Sequence, residues 1–279
     1  MENTRKRPWK MSRILIYIIL IALVLSILYP FVYMLLASFK GKSEYYANMF
    51  GLPQAPSLLN YRVAFQKFDI LRLGKNSLLI AGISVVANCL ISSMAAYGFS
   101  KLPFFGSPKL LKGIIACMMV PGQMLMIPVY LMMARMGLTN NYLSVILFYV
   151  ATAIPFGTYM MTAQCRNIPD EVLEAAEIDG GGFGRIYFSV ILPFLKPAII
   201  TLVILNFMTF WNELLYSMLL LQTPEVRTLT VEIASIIGKY NTNMPLMMTG
   251  LLVNCIPTVL VFVFFQKYIV KGLTAGAIK

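Results

Sequence analysis

The residues able to carry chemistry in this chain are few and unevenly placed. There is no histidine, which excludes Ser-His-Asp and Cys-His constellations, His-ligated zinc or haem, and the usual neutral-pH general base. Cys89, Cys117, Cys165 and Cys255 are far apart, with no CxxC spacing, and support neither a disulfide framework nor a metal site. No GxxxxGK[ST] phosphate loop occurs, so the chain does not bind ATP by that route. Of the 11 acidic residues, five crowd into ten positions: Asp170, Glu171, Glu174, Glu177 and Asp179. One more, Glu213, stands alone in an apolar stretch, where a carboxylate costs roughly 2.5–3.5 kcal/mol on insertion scales. It reads either as a gate or pore residue or as a structural group hydrogen-bonded to its surroundings. No catalytic set emerges; the acidic cluster and the isolated carboxylate are the positions that the fold must explain.

The elements that hold them are set by composition. Hydrophobic residues make up 59% of the 279 and charged residues only 12%, about half the charged share of a soluble domain, so the chain is read as an all-α membrane protein. Six stretches are long enough to cross a bilayer: 14–36, 76–98, 113–134, 143–164, 198–221 and 246–266. Glu213 is the one charge inside them. The first follows Arg5, Lys6, Arg7, Lys10 and Arg13 but is longer than the apolar region of a secretory signal, so it reads as a retained helix. With both termini in the cytoplasm, 14 Lys and Arg lie inside and 9 outside, the bias that the positive-inside rule favours. The net charge of +12 is then topogenic charge beside anionic lipid rather than a nucleic-acid surface. Pro53 and Pro56 break the loop 37–75 ahead of a short helix from Ser57 to Phe65. Pro121, Pro128, Pro155 and Pro257 fall within spans and are expected to kink them. One domain, 1–279, accounts for the chain.

The loop 165–197 is the most polar segment and is placed in the cytoplasm. Pro169 suits a first helical position, Asp170 and Glu171 lie at the positive end of the helix dipole, and Gly180-Gly181-Gly182 ends the helix. Phe183, Ile186, Tyr187, Val190 and Ile191 then recur at i, i+3, i+4, i+7 and i+8, one apolar face of a helix expected along the membrane surface. The loop is therefore a short acidic helix, a glycine turn and a second helix. Ala175-Ala176 offers a patch of small side chains for close approach by another backbone.

Glu174-Ala175-Ala176, three residues, Gly180 and then Leu192-Pro193 resembles the EAA loop of permease subunits of binding-protein-dependent ABC importers. It departs where the family has Ile ten residues after the glycine: here Val190 stands there, with Ile191 beside it. The resemblance spans the chain. Leu59-Asn60-Tyr61, Ala95-Ala96-Tyr97-Gly98-Phe99-Ser100, Pro121-Gly122-Gln123, Trp211-Asn212-Glu213 and the tail Lys271-Gly272-Leu273-Thr274-Ala275-Gly276 are similar to the carbohydrate branch, in particular to its smaller, maltose-type permease.

The resemblance implies the type I ABC importer permease fold in a prokaryotic inner or plasma membrane. It implies a second permease subunit as heterodimer partner, two ATP-binding subunits, an extracytoplasmic solute-binding protein and a carbohydrate substrate, with no nucleic acid. Glu174, Ala175, Ala176 and Gly180 would form the coupling contact with the ATPase. ATP and Mg would be used by that partner, and no cofactor would be bound by this chain, which would not itself be an enzyme. The loop 222–245 occupies the position of one that reaches toward the binding protein in the maltose system, or is an ordinary connection. No residue is assigned to the sugar. The alternative, a secondary transporter or channel not driven by ATP, would need ionisable residues in several spans, where only Glu213 is found. An intramembrane enzyme would lack histidine, paired aspartates and a metal cluster.

Overall fold

The computed structural model describes residues 11–102, 104–239 and 243–274. They form helices and connecting turns, with no strand among the described residues. In chain order these are α1 (Met11–Ser38), α2 (Lys42–Ala47), α3 (Leu59–Lys67), α4 (Ile70–Lys101), α5 (Ser107–Ala116), α6 (Met126–Arg135), α7 (Tyr142–Cys165), α8 (Asp170–Ile178), α9 (Phe183–Ile186), α10 (Leu192–Phe194), α11 (Lys196–Trp211), α12 (Leu215–Leu220), α13 (Leu229–Lys239) and α14 (Met244–Thr274). Short 3₁₀ turns lie between α5 and α6, and a π-helical turn, Tyr187–Ile191, joins α9 to α10. Arg5, Lys6, Arg7, Lys10, Ala275 and Gly276 lie outside the described residues.

Among those residues four continuous helices are long and apolar enough to cross a membrane: Arg13–Ser38, Ile70–Lys101, Tyr142–Cys165 and Met244–Gln266. They contain the expected spans 14–36, 76–98, 143–164 and 246–266. The other two expected spans are each interrupted. The stretch 113–134 is not one helix: Ser107–Met119 and Gly122–Arg135 are bent by 90°. The cause is local. Val120 is extended (φ −81°, ψ 115°), as a residue before proline prefers, and Pro121 (φ −62°, ψ 125°) has no N–H to continue the ladder. The stretch 198–221 ends as a helix at Trp211 and resumes at Leu215. Backwards, α11 meets Phe183–Phe194 at a 73° bend, so six crossings are reached only if each bent pair is one span. Pro155 and Pro257 lie inside continuous helices, as does Pro30.

The chain divides into two compact units, Met1–Phe68 with Ser235–Val253, and Asp69–Ala234 with Asn254–Lys279. In the first, α1 has exposed side chains along most of its length, the pattern of a helix apolar all round and facing lipid. Its end is tied down by the loop that follows. Asn60 Nδ2 donates to Ser38 O and Lys40 O, each at 2.8 Å, and the Tyr61 hydroxyl lies 2.9 Å from Ser38 Oγ. The Lys40 ammonium is buried and donates to Asn48 O at 2.8 Å and Met49 O at 3.3 Å. Helix α2 has no counterpart among the sequence expectations, and α3 starts at Leu59 rather than Ser57.

The second unit is built on α4, α7 and α11 around one apolar core that includes Ile80, Val85, Tyr149, Met161, Ile191, Leu195 and Leu202. Asn76, on α4, donates to Glu225 O (3.0 Å) and Arg227 O (2.9 Å) and accepts from the Tyr142 hydroxyl (2.8 Å). Asn140, at φ 57°, accepts from the N–H groups of Gln222 (2.6 Å) and Thr223 (3.0 Å). The first half of the loop 222–245 is thus pinned to α4 and to the turn that precedes α7. Its second half contains α13, an element the sequence reading did not separate, while residues 240–242 lie outside the described set.

Candidate functional site

The acidic loop is positioned from both sides. α7 ends at the buried Cys165, and Ile168 is buried below the turn that follows. Pro169 (φ −59°, ψ 140°) sits one residue before the helix, as its N-cap, rather than at the first helical position. Lys101, the last residue of α4, reaches across. Its ammonium donates to Ile168 O and to Asp170 Oδ1, each at 2.6 Å. The Lys101 side chain is 7% exposed and that of Asp170 is 76%, so the carbonyl is the better shielded of the two partners and the ion pair by itself contributes little. This clasp fixes where α8 begins, and sequence reading missed it; the signal was a lysine ending one long helix and an aspartate opening a short one.

The far end of α8 is a glycine lock. Gly181 N–H donates to Ala176 O and Gly180 N–H to Glu177 O, both at 2.9 Å, with Gly180 at φ 78°. These are the two bonds of a Schellman turn with its left-handed residue at Gly180. A Cβ on Gly181 would lie 2.6 Å from Ala176 O, so neither position accepts a side chain without distortion.

Between clasp and lock, α8 turns Val172, Leu173 and Ala176 toward the protein and leaves Glu171, Glu174, Ala175 and Ile178 outward. The two alanines therefore do not make one patch, because consecutive helical residues point about 100° apart. Ala175 is presented, whereas Ala176 packs on the core. Ile178 is 86% exposed, an apolar side chain at the tip of an acidic helix that the sequence reading did not single out. Beyond the lock, Ile186, Tyr187 and Ile191 are buried and Val190 packs against them, but Phe183 is 69% exposed. The expected lipid-facing stripe is thus turned onto the protein: the Tyr187 hydroxyl lies 2.7 Å from Ser93 Oγ and its ring stacks on Tyr97 at 6.2 Å. Phe183 and Ile178 flank the glycine turn as two outward apolar side chains.

Glu213 lies in the break after α11. Its carboxylate accepts from the Tyr216 N–H (2.8 Å), the Ser217 N–H (3.0 Å) and the Tyr149 hydroxyl (2.9 Å). It therefore caps the first turn of α12, where free N–H groups and the helix dipole favour an anion. Its neighbours engage the same break. Trp211 Nε1 donates to Asn254 O at 3.0 Å, and Trp211 O accepts from Thr230 Oγ1 at 3.0 Å. Asn212 Nδ2 donates to Met208 O at 2.8 Å.

The bend at Pro121 opens a cleft of about 750 Å³ against α7, lined by Met118, Val120, Val129, Met132 and Phe156 among others. Thr152 supplies its one hydroxyl, which returns to Phe148 O at 2.9 Å and Tyr149 O at 3.2 Å. Among the described residues, the lining offers a sugar no unengaged side-chain hydroxyl, amide or charge.

Residues 89–275 match the family described as binding-protein-dependent transport system inner membrane component. A putative ABC transporter permease protein, ORF2, of Caldicellulosiruptor sp. (strain Rt8B.4) is 36% identical over 251 residues, 90% of this chain and 91% of that protein. The melibiose/raffinose/stachyose import permease protein MelC of Bacillus subtilis (strain 168) is 30% identical over 251 residues, again 90% and 91%. In fold, the chain superimposes with a TM-score of 0.80 on a chain of a bacterial ABC transporter involved in the import of the acidic polysaccharide alginate. That match covers 94% of this chain and 99% of that one at 23% identity.

Proposed function

Because the chain belongs to the family of inner membrane components of binding-protein-dependent transport systems, we propose that it is the carbohydrate permease of an ATP-driven importer and that α8 is its coupling element. It is a multi-pass membrane permease of the type I importer fold. On this proposal it lies in a prokaryotic inner or plasma membrane with both termini in the cytoplasm. It pairs with a second permease, two ATP-binding subunits that use ATP and Mg, and an extracytoplasmic solute-binding protein. The cargo named for MelC supports a sugar or oligosaccharide.

One observation carries the coupling assignment: α8 is held rigidly at both ends, by Lys101 and by the Gly180 turn, while Glu171, Glu174, Ala175 and Ile178 remain outward. A rigid exposed helix can pass a push from a neighbouring subunit to α4 and α7, which a loose loop would absorb. Ile178 supplies an apolar anchor, Ala175 permits close approach, and the acids orient the contact. Glu174, Ala175 and Gly180 retain the roles that the resemblance implies, and Ala176 serves by packing the helix and accepting the Gly181 bond. An uncoupled transporter finds no support in the spans, since the Glu213 carboxylate is taken up in capping α12.

The test is a tagged, co-expressed importer carrying Ala175→Trp with Ile178→Asp, measured for ATPase co-purification and for sugar uptake into vesicles. Loss of both with normal membrane insertion is expected. Wild-type association and uptake in this variant would remove the coupling assignment, and uptake without ATP would remove the importer reading.

A further inference from the structure

Helices α4, α7 and α11 close on one another along a seam that is polar. α4 presents Ser84, Asn88 and Ser92 at i, i+4 and i+8, and α7 presents Thr158 and Thr162 at i and i+4; all five are buried. Asn206 of α11 donates through Nδ2 to Asn88 Oδ1 at 2.8 Å. The other groups have no partner: Ser84 Oγ, Asn88 Nδ2, Ser92 Oγ, Thr158 Oγ1 and Thr162 Oγ1.

Hydroxyls elsewhere on the same helices behave differently. Ser93 donates to Leu90 O, Thr152 to Phe148 O and Thr209 to Leu205 O, each returning to its own backbone at 3.0 Å or less. The four seam hydroxyls make no such bond, and Ser92 Oγ faces α7 at Gly157. Gly157 of α7 lets α4 approach closely there, since a Cβ would run into Ser92 Oγ and lie 3.0 Å from Asn88 Oδ1.

Unsatisfied polar groups are costly in a protein interior and more so at membrane depth, where bulk solvent does not reach. Five of them on facing helix surfaces require an occupant that both donates and accepts. No charged side chain belongs to the set, which argues against an ion. We infer that the seam is an internal hydration site, in which ordered water molecules bridge Ser84, Asn88 and Ser92 of α4 to Thr158 and Thr162 of α7. A water making two to four hydrogen bonds suits this arrangement of hydroxyls and one amide donor. The site lies on the two helices whose ends carry the clasp between Lys101 and the Ile168–Asp170 turn. Water bridges exchange partners readily, so α4 and α7 can shift on one another there without breaking direct side-chain bonds.

The experiment is X-ray hydroxyl-radical footprinting of the complete importer in nanodiscs, read by mass spectrometry. Met161 and Cys89 are buried, within one turn of seam residues, and Met133 is a buried control outside the seam. Labelling of Met161 and Cys89 several-fold above Met133 is expected, falling to the control level in Ser84→Ala/Ser92→Ala/Thr158→Val. The single variant Thr158→Val supplies a second sign: losing a water-bridged hydroxyl lowers Tm by a few degrees, whereas losing a bare buried hydroxyl raises it. Labelling of Met161 and Cys89 no higher than Met133 in the wild-type importer, or an unchanged or raised Tm for Thr158→Val, would overturn the inference.

Discussion

Replacing Gly180 by alanine isolates one backbone angle. The residue sits at φ 78° with nothing within 4 Å of where a Cβ would stand, so the substitution adds no clash and costs only the left-handed conformation, about 1–2 kcal/mol for an L-residue. That penalty falls on the turn that takes up Ala176 O and Glu177 O, and it does not reach the apolar core. Opening of the last turn of α8 should therefore rise roughly 5–30-fold, while the Tm of the assembled importer moves little. Hydrogen exchange read by mass spectrometry on peptides covering 170–182 measures this directly. Gly184→Ala is the control: Gly184 lies inside α9 without positive φ or close neighbours, and alanine there is neutral or favourable by roughly 0.5–1 kcal/mol. Faster exchange confined to α8 in Gly180→Ala, with uptake reduced alongside, is the expected outcome. Equal exchange in the two variants, or none above wild type, refutes the argument that this turn holds the helix.

Lys101→Met should release the start of α8 and leave Ile168 O unpaired, at a cost of about 1–3 kcal/mol. Asp170→Asn should cost under about 1 kcal/mol because that carboxylate is largely exposed; exchange rates over 166–172 separate the two, and equal effects would locate the clasp in the ion pair instead. Glu213→Gln removes a charge-assisted cap worth about 1.5–3 kcal/mol, so the Tm of the purified importer should drop with insertion intact. An unchanged Tm with lost uptake would make Glu213 a gate. Asn76→Ala frees the carbonyls of Glu225 and Arg227, and limited proteolysis should then cut within 222–228 at least several-fold faster; unchanged cleavage would show that Asn140, with the Arg227 guanidinium that donates to Gln222 O, holds that segment alone.

How much could be read in advance depended on the range of the interaction. The apolar runs and the acidic-start, glycine-stop pattern of α8 are local, and they were legible. Breaks were marked but not interpretable, since a proline in an apolar run can pass, kink or stop a helix. Pro155 passes within α7, while Pro121 stops the helix and the turn is taken up when the Tyr216 hydroxyl donates to Gly122 O at 2.5 Å. That partner is distant in sequence and leaves no local signal. Glu213 is a mixed case: its cap on the Tyr216 and Ser217 N–H groups is local, whereas the Tyr149 hydroxyl that also binds it comes from another helix. Facing was the other loss: Ala176 points inward and Phe183 outward because of what lies beneath the loop, which periodicity within one helix does not specify.

The short motifs that carry the family resemblance share a physical location. Asn60 and Tyr61 close off α1, Tyr97 meets Tyr187 where α4 ends, Pro121-Gly122 forms the bend, Trp211-Asn212-Glu213 occupies the next break, and Gly180 locks α8. Apart from Tyr97, which stacks on Tyr187 from within α4, each position lies at or beside a helix end or interruption, where a particular atom meets a backbone group. Mid-helix apolar positions are less demanding, because volume-conserving exchanges among Leu, Ile and Met are tolerated there. Such motifs therefore answer to backbone geometry and say little about cargo. The cleft at the Pro121 bend agrees with this division, since its lining has no unengaged polar side chain to tell one sugar from another. On the proposed function, swapping the solute-binding protein should therefore change uptake preference more than substitutions lining that cleft, and the reverse result would place discrimination in this chain.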